Sequence, residues 1–581
     1  MRSVPSRREF LSLLAASAAA CHATPPGAAT PATAPGPGPG DPPLGSDDLA
    51  AAEKVLGVQY TPDEREQILD SLQEQLQLVA SRRGHPLPND LAPATVFDPR
   101  LPGTPRPEVS IPLSLPAIDR PLPADEESIA FASVAELSHW IGAGALTSRR
   151  LTELYLRRLK RHGPKLECVV TLTESLALAQ ADRADAELAA GRRRGPLHGI
   201  PWGAKDLLDT KDILTTWGAA PYRDRVPVRD AVVVQRLHEA GAVLVAKLSL
   251  GALAYGDLWF GGRTRNPWNP VEGSSGSSAG SASAVAAGLV GFALGTETLG
   301  SIVSPSMRCG VTGLRPTFGR VARTGAMALC WSMDKVGPLT RTVEDAAMVL
   351  QAIDGADPGD PSSRDVPLAL DLQRPLSEIR VGFMPGWFAD PGLSEPEREL
   401  PEHVRELGVQ VVELPSLPEL PYAALYTVLY AEAAAAFEAL TLDGRDDELT
   451  WQDDAAWPNS FRRARLLSAI DLVQADRIRR ELMQAMAERF AEVDVMVGPS
   501  YAGGMLLATN MSGHPSLTMR AGFVERGPID SLTSEPMKGE VRSMPQGITL
   551  WGRLFDEGTL CRVALALQQR LGVASRRPGL S

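Results

Sequence analysis

The sequence is short of the residues on which several enzyme classes depend. Among 581 residues there are five cysteines (Cys21, Cys168, Cys309, Cys330 and Cys561), too few and too scattered for a disulfide framework, and no two form a C-x-x-C pair. The eight histidines are equally scattered and none sits in an H-E-x-x-H pattern. Metal-centred chemistry is therefore disfavoured, and no cofactor is expected. There is no internal repeat and, past the N-terminus, no uncharged apolar run long enough for a membrane helix. Positive charge is in deficit, with 58 Lys and Arg against 70 Asp and Glu, a net charge of −12. An acidic surface repels phosphate backbones, so nucleic acid is not an expected partner. The 44 % apolar and 22 % charged residues are ordinary for a globular protein and exclude a wholly disordered or fibrous chain.

The first 23 residues have the anatomy of an export signal. Arg2, Arg7 and Arg8 precede a short apolar stretch, 11–20, too short for a permanent span. SRREFL at 6–11 resembles a twin-arginine address, which places the protein in the periplasm or cell envelope. AAAC at 18–21 resembles a lipoprotein cleavage box without its leading leucine, which makes Cys21 a candidate lipid anchor. Residues 24–45 are a Pro/Ala/Gly tether with nothing to bury.

Residues 46–126 form an extension, helical over 46–84, where Leu69, Leu72, Leu76 and Val79 recur at helical spacing, and proline-rich over 85–125. From 127 to 575 the pattern alternates between helices and short apolar strands. A capping box is expected at Ser133-x-x-Glu136, and a helix capped by Ser148. Further expectations are a helix over 230–240, strands at 242–246 and 290–294, and between them a small-residue helix over 279–287. Later strands are expected at 379–383, 409–412 and 495–497. Such alternation implies an α/β fold with a mixed, largely parallel sheet covered by helices on both faces. The acidic segment 443–460, with two tryptophans, reads as surface loop or lid.

Three segments carry chemistry. EGSSGSSAGS at 272–281 stands mid-domain before a buried-looking helix, where a flexible linker has no place, so it reads as a tight backbone feature. GTETLGS at 295–301 follows a strand, and a turn there aims successive N–H groups at one point, which suits an oxyanion. GIPWGAKD at 199–206 sets Lys205 straight after an apolar stretch, and a desolvated lysine loses its proton readily. GSSAG at 276–280 also fits the nucleophile-elbow pattern, but that motif needs a strand immediately before it. NPWNP at 266–270 cannot be a central strand, and neither His403 nor His514 stands in a telling context. A Ser-His-Asp reading is rejected on those grounds.

Together these segments resemble the amidase signature family over about residues 127–570. The match includes GIP at 199–201, Lys205-Asp206, GSSAGS at 276–281 and GSI at 300–302. It continues through GVTGLRPT at 310–317, NMSGHP at 510–515 and QGITLWG at 546–552. Ser277 stands 24 residues before Ser301, the family's spacing between its two serines. The resemblance implies a Ser–cis-Ser–Lys triad, with Ser301 as nucleophile, Ser277 as a proton relay beside a cis peptide, and Lys205 as base. The N–H groups of Thr298, Leu299, Gly300 and Ser301 would line the oxyanion hole. It also implies an amidase acting on linear amides through an acyl-enzyme, with a small-molecule or peptide amide as substrate.

The usual D-x-G-G-S-I-R of the family is here Glu297 to Val303, so Leu299 replaces a glycine and Val303 an arginine. Ser274, Ser275, Ser278 and Ser281 read as turn and packing residues, and Cys309 and Cys330 as small buried ones. Two other roles share the scaffold: a subunit like the family's transamidating member, which the export signal and acidic charge disfavour, and an inactive binding protein, which the intact triad disfavours. Substrate choice would lie within about 385–470, where Tyr422, Tyr426, Tyr430, Trp451 and Trp457 are candidate pocket residues.

Overall fold

A computed structural model describes residues 44–85 and 87–580. Residues 1–43, which include the expected export signal, Cys21 and all but the last two residues of the expected tether, lie outside the described residues. The chain divides into two compact units, 1–86 and 87–581. The smaller contains helices Ser46–Leu56 and Pro62–Arg83. Thr61 caps the second by accepting from Glu64 N while Glu64 reaches back to Thr61 N (2.7 Å), and Pro62 at the first helical position needs no donor. Leu69, Leu72, Leu76 and Val79 all fall on its half-buried positions. Arg65 ties the two helices through Glu53 at 2.7 Å.

The larger unit is built on one sheet of eleven strands: β1 Val169–Leu172, β2 Pro201–Lys205, β3 Val243–Leu248, β4 Phe292–Glu297, β5 Thr312–Arg315, β6 Lys335–Thr340, β7 Arg380–Phe383, β8 Gln410–Glu413, β9 Val495–Pro499, β10 Ser516–Arg526 and β11 Arg542–Gly552. Their order is β1-β3-β2-β4-β6-β5-β10-β11-β9-β7-β8. The sheet is mixed, and its parallel pairing is narrower than the strand–helix alternation implied. It is confined to two blocks, β3-β2-β4 and β9-β7-β8, while every other neighbouring pair is antiparallel. The antiparallel centre comes from β10 and β11, whose long hairpin pairs over ten positions and has no helical crossover to betray it.

Both faces are covered, and the strands say so residue by residue. Leu244, Phe292, Leu294 and Val336 join one apolar core, while Val243, Val245, Ala293 and Leu339 join another. Strands buried on both sides need no polar alternation, which is why they read as continuous apolar runs. In the C-terminal block Val495 and Val497 point into the first core and Met496 into a third, shared with helices Ala469–Glu492 and Met505–Ser512.

Several boundaries differ from expectation. Thr147, not Ser148, caps helix Ser148–Leu166. Thr147 has the extended backbone a cap needs and accepts from Arg150 N at 3.1 Å, which makes Ser148 the first helical residue. The Ser148 hydroxyl donates instead to Gly199 O at 2.8 Å. The helix expected over 230–240 is the shorter Val232–Glu239. The strand expected at 290–294 is Phe292–Glu297, because pairing with β2 begins only at Trp202 opposite Phe292. The acidic segment is not all loop, since it holds a short turn of helix at Arg445–Glu448 and runs into helix Trp457–Ala464. Residues 266–270 belong to a small two-stranded ribbon outside the main sheet. No helix of the described residues is long and apolar enough to cross a membrane.

Candidate active site

The site lies at the carboxyl ends of parallel strands β2 and β4, where open α/β sheets leave a crevice. Lys205 is the last residue of β2, and the turn 298–302 follows β4 directly. The serine-rich segment lies across both. Its Gly276–Ser277 peptide is cis, and it leads into helix Ala279–Ala286. Glycine is obligatory at position 276: a Cβ there would lie 1.9 Å from the Gly256 carbonyl oxygen.

Lys205 is fully buried. Its Nζ donates to Ser277 Oγ at 2.9 Å, Ser278 Oγ at 3.1 Å and Thr296 Oγ1 at 2.8 Å. Burial drives its pKa well below the usual lysine value, against the opposing charges of Asp334 and Glu297. Ser277 is fully buried beside it, whereas Ser301 keeps 8 % exposure on a cavity wall. The segments meet again where Ser278 N donates to Ser301 O at 3.1 Å. Thr298, Leu299 and Gly300 line the same cavity, and Gly300 holds a left-handed φ of 95° that favours glycine. Leu299, in the place of the family's glycine, packs against the third core.

Two of these contacts were not foreseen. Ser278 is more than a packing residue: besides meeting Lys205, its hydroxyl donates to Thr296 O (3.0 Å) and accepts from Thr296 N (3.1 Å). Glu297 clamps the turn from behind. Its Oε2 accepts from Ile302 N (2.7 Å) and Val303 N (2.9 Å), and its Oε1 from Arg315 Nη1 (2.6 Å) and Asn510 Nδ2 (2.9 Å). Burial pushes this carboxyl up, but Arg315, the Val303 amide and Lys335 outweigh it and hold the pKa at about 2. Thr298 is fixed by Asp334, whose other oxygen accepts from Leu329 N and Cys330 N at 2.8 and 3.0 Å. Behind Lys205, Asp206 accepts from Thr216 N (2.8 Å) and pairs with buried Lys247 (3.2 Å), which fixes the loop after β2. Only the loop motifs around Arg315 and Asn510 hinted at the clamp.

The cavity before Ser301 has a volume of about 550 Å³, room for a small organic substrate. Tyr426, Tyr430, Trp451 and Trp457 line it, joined by Tyr255 and Tyr501. Tyr422 does not, and its hydroxyl donates to Pro418 O at 3.0 Å. Tyr255 packs between Trp451 and Trp457 with ring centroids 5.0 and 5.1 Å away, so the acidic segment is a wall of the cavity. Neither His403 nor His514 reaches it. His514 is buried against Phe490, and burial with the nearby Arg315 lowers its pKa to about 3. Cys309 and Cys330 are fully buried, and burial raises both thiols. Among the described residues no cluster of His, Cys, Asp and Glu is arranged to hold a metal ion.

Comparison with known proteins gives one consistent answer. A family model described as "Amidase" matches residues 150–561. The chain is 34 % identical over 495 residues to a glutamyl-tRNA(Gln) amidotransferase subunit of Roseiflexus castenholzii, covering 77 % of this chain and 97 % of that protein. It is 32 % identical to the corresponding subunit of Pseudomonas savastanoi, covering 77 % and 99 %. Among solved structures, the peptide amidase of Stenotrophomonas maltophilia superposes with a TM-score of 0.65 at 31 % identity, covering 77 % of this chain and 98 % of that one.

Proposed function

The chain belongs to the amidase family, and from that premise we propose that it hydrolyses linear carboxylic amides through an acyl-enzyme on Ser301. The observation that carries this reading is Lys205: fully buried, biased toward its neutral form, and 2.9 Å from the Ser277 hydroxyl. A serine hydroxyl is a weak nucleophile until a base takes its proton. Neutral Lys205 takes the Ser277 proton as Ser277 takes that of Ser301. Ser301 Oγ attacks the amide carbonyl carbon, and the oxyanion is met by the N–H groups of Thr298, Leu299, Gly300 and Ser301. Collapse breaks the C–N bond, and the amine leaves with the proton returned through Ser277. Water then attacks the ester, gives its proton to the same relay, and releases the acid and free Ser301.

The likeness to amidotransferase subunits favours a second reading, in which the chain supplies ammonia within a larger assembly. The export signature at 1–23 and the net charge of −12 speak for an enzyme working alone in the periplasm or envelope, with Cys21 as its lipid anchor. The test is a panel of primary and substituted amides, with matched esters, offered to the purified chain alone. Turnover of an amide that is lost in Ser301→Ala supports the proposal; a folded chain inert on the whole panel refutes it.

A further inference from the structure

We infer that the substrate carries an ionised carboxylate besides its amide, and that Arg308 and Arg526 hold it; this rests on the amide-hydrolase reading above. Among the described residues lining the cavity, these two are the only ones with charged side chains. A purely cationic lining is unexpected in a chain with a net charge of −12. The two arginines arrive from separate elements, Arg308 from the last turn of helix Val303–Cys309 and Arg526 from the end of β10.

One buried carboxylate serves both. Arg308 Nη1 lies 3.1 Å from Glu272 Oε2, and Arg526 Nη2 lies 3.1 Å from Glu272 Oε1. The other acids nearby, Asp257 and Asp530, pair with Arg263 at 3.8 and 2.7 Å. Formal charge is balanced over Glu272, Asp257, Asp530, Arg263, Arg308 and Arg526, and of these six only Arg308 and Arg526 line the cavity. Arg308 is 8 % exposed, and its Nε is buried without a hydrogen-bond partner. That nitrogen faces the protein interior rather than the cavity; it is the guanidinium fork that a carboxylate can take with two parallel bonds.

Position defines the ligand further. Ser301, Ser304 and Arg308 are spaced by three and four residues, so they share one side of the helix and its entry, and all three line the cavity. Within the helix, Arg308 stands about 7 Å beyond Val303 along the axis, toward the end away from Ser301. A carboxylate held there belongs several bonds from the carbonyl carbon, with apolar chain between, against Tyr501, Leu506 and Ile529. The substrate is thus the half-amide of a linear dicarboxylic acid, and hydrolysis yields the dicarboxylate and ammonia or an amine.

The test offers the full chain a homologous series of ω-carboxy alkanamides, each against the neutral alkanamide of equal length. At one chain length the carboxylated amide should exceed its neutral partner in kcat/KM by about 10-fold or more, chiefly through KM. Arg308→Gln and Arg526→Gln should each shrink that ratio, and Glu272 keeps one guanidinium in either variant. Calorimetric binding of the alkane dicarboxylate of the preferred length, weaker in both variants, provides a measurement independent of turnover, and Arg526→Gln decides if Arg308→Gln fails to fold. Neutral amides cleaved as well as or better than carboxylated ones would overturn this inference and leave the hydrolase reading intact. Dicarboxylate binding that depends on the arginines, with no amide of either series cleaved, would instead overturn the hydrolase reading and leave the carboxylate site standing.

Discussion

Replacing Glu297 by glutamine tests how the nucleophile turn is held. The carboxylate sits among four donors, the Ile302 and Val303 amides, Arg315 and Asn510, with no exposure to water. Glutamine offers one acceptor oxygen and places an NH2 group against donors, and it leaves the buried Arg315 charge without its 2.6 Å partner. Breaking a buried pair this way costs about 3–5 kcal/mol. The proton linkage gives a similar size. The native pKa of about 2, against an ordinary 4.5, corresponds to about 3 kcal/mol. Because the native pKa is depressed, that stability is fully present above about pH 4.5 and is lost as pH falls toward 2. For a unit of about 500 residues, 1 kcal/mol is worth about 1 °C in Tm. Differential scanning calorimetry at pH 7 should therefore show Glu297→Gln melting about 3–5 °C lower, with the gap narrowing as both proteins are taken to pH 3. Activity should fall by about 10²–10³-fold, the size of a lost oxyanion donor, since the two freed amides directly follow Ser301. A Tm within 1 °C of wild type and kcat within about threefold would refute the view that Glu297 holds the turn.

Lys205→Ala should cut turnover by several orders of magnitude while the protein stays folded. Wild-type kcat/KM should rise with pH as Lys205 loses its proton, at a pH well below the ordinary lysine range; a pH-independent rate, or a mutant within tenfold of wild type, removes Lys205 from the mechanism. Gly276→Ala drives a methyl to 1.9 Å from Gly256 O, so soluble yield or Tm should drop sharply, and a normal melt contradicts the packing described for the serine segment. If residues 1–23 are an export signal, mature protein should begin between Cys21 and Thr24, and changing Arg7 and Arg8 to lysine should trap the precursor; an intact Met1 on exported protein sinks that idea.

How much of this was legible beforehand depended on where the information lies in the chain. Lys205, Ser277 and Ser301 sit in glycine-punctuated segments that stand out mid-domain, but their roles as base, relay and nucleophile were legible only through the resemblance to the amidase signature family. Helices announced themselves through caps and periodicity, though Thr147 and Ser148 are both good caps, and backbone conformation, absent from sequence, decided between them. The antiparallel centre of the sheet was hidden because β10 and β11 are joined by a long loop rather than a tight turn with its own signature. The polar clamps were hidden for a related reason. Glu297 meets Asn510 across 213 positions, and Arg308 shares Glu272 with Arg526 from the far end of β10. Charged residues in such pairs look like surface residues until the fold buries them.

The central claim is that Ser301 is acylated while Ser277 only passes a proton. The most direct measurement is peptide mapping after labelling with a serine-reactive phosphonate, on wild type, Ser301→Ala and Ser277→Ala. The adduct should sit on Ser301 in wild type and be absent from Ser301→Ala. In Ser277→Ala labelling should be greatly slowed with the adduct still on Ser301, and turnover nearly as poor as in the double mutant, because the parts act as one unit. An adduct on Ser277 or Ser278 would contradict the assignment and return the nucleophile to the glycine–serine segment.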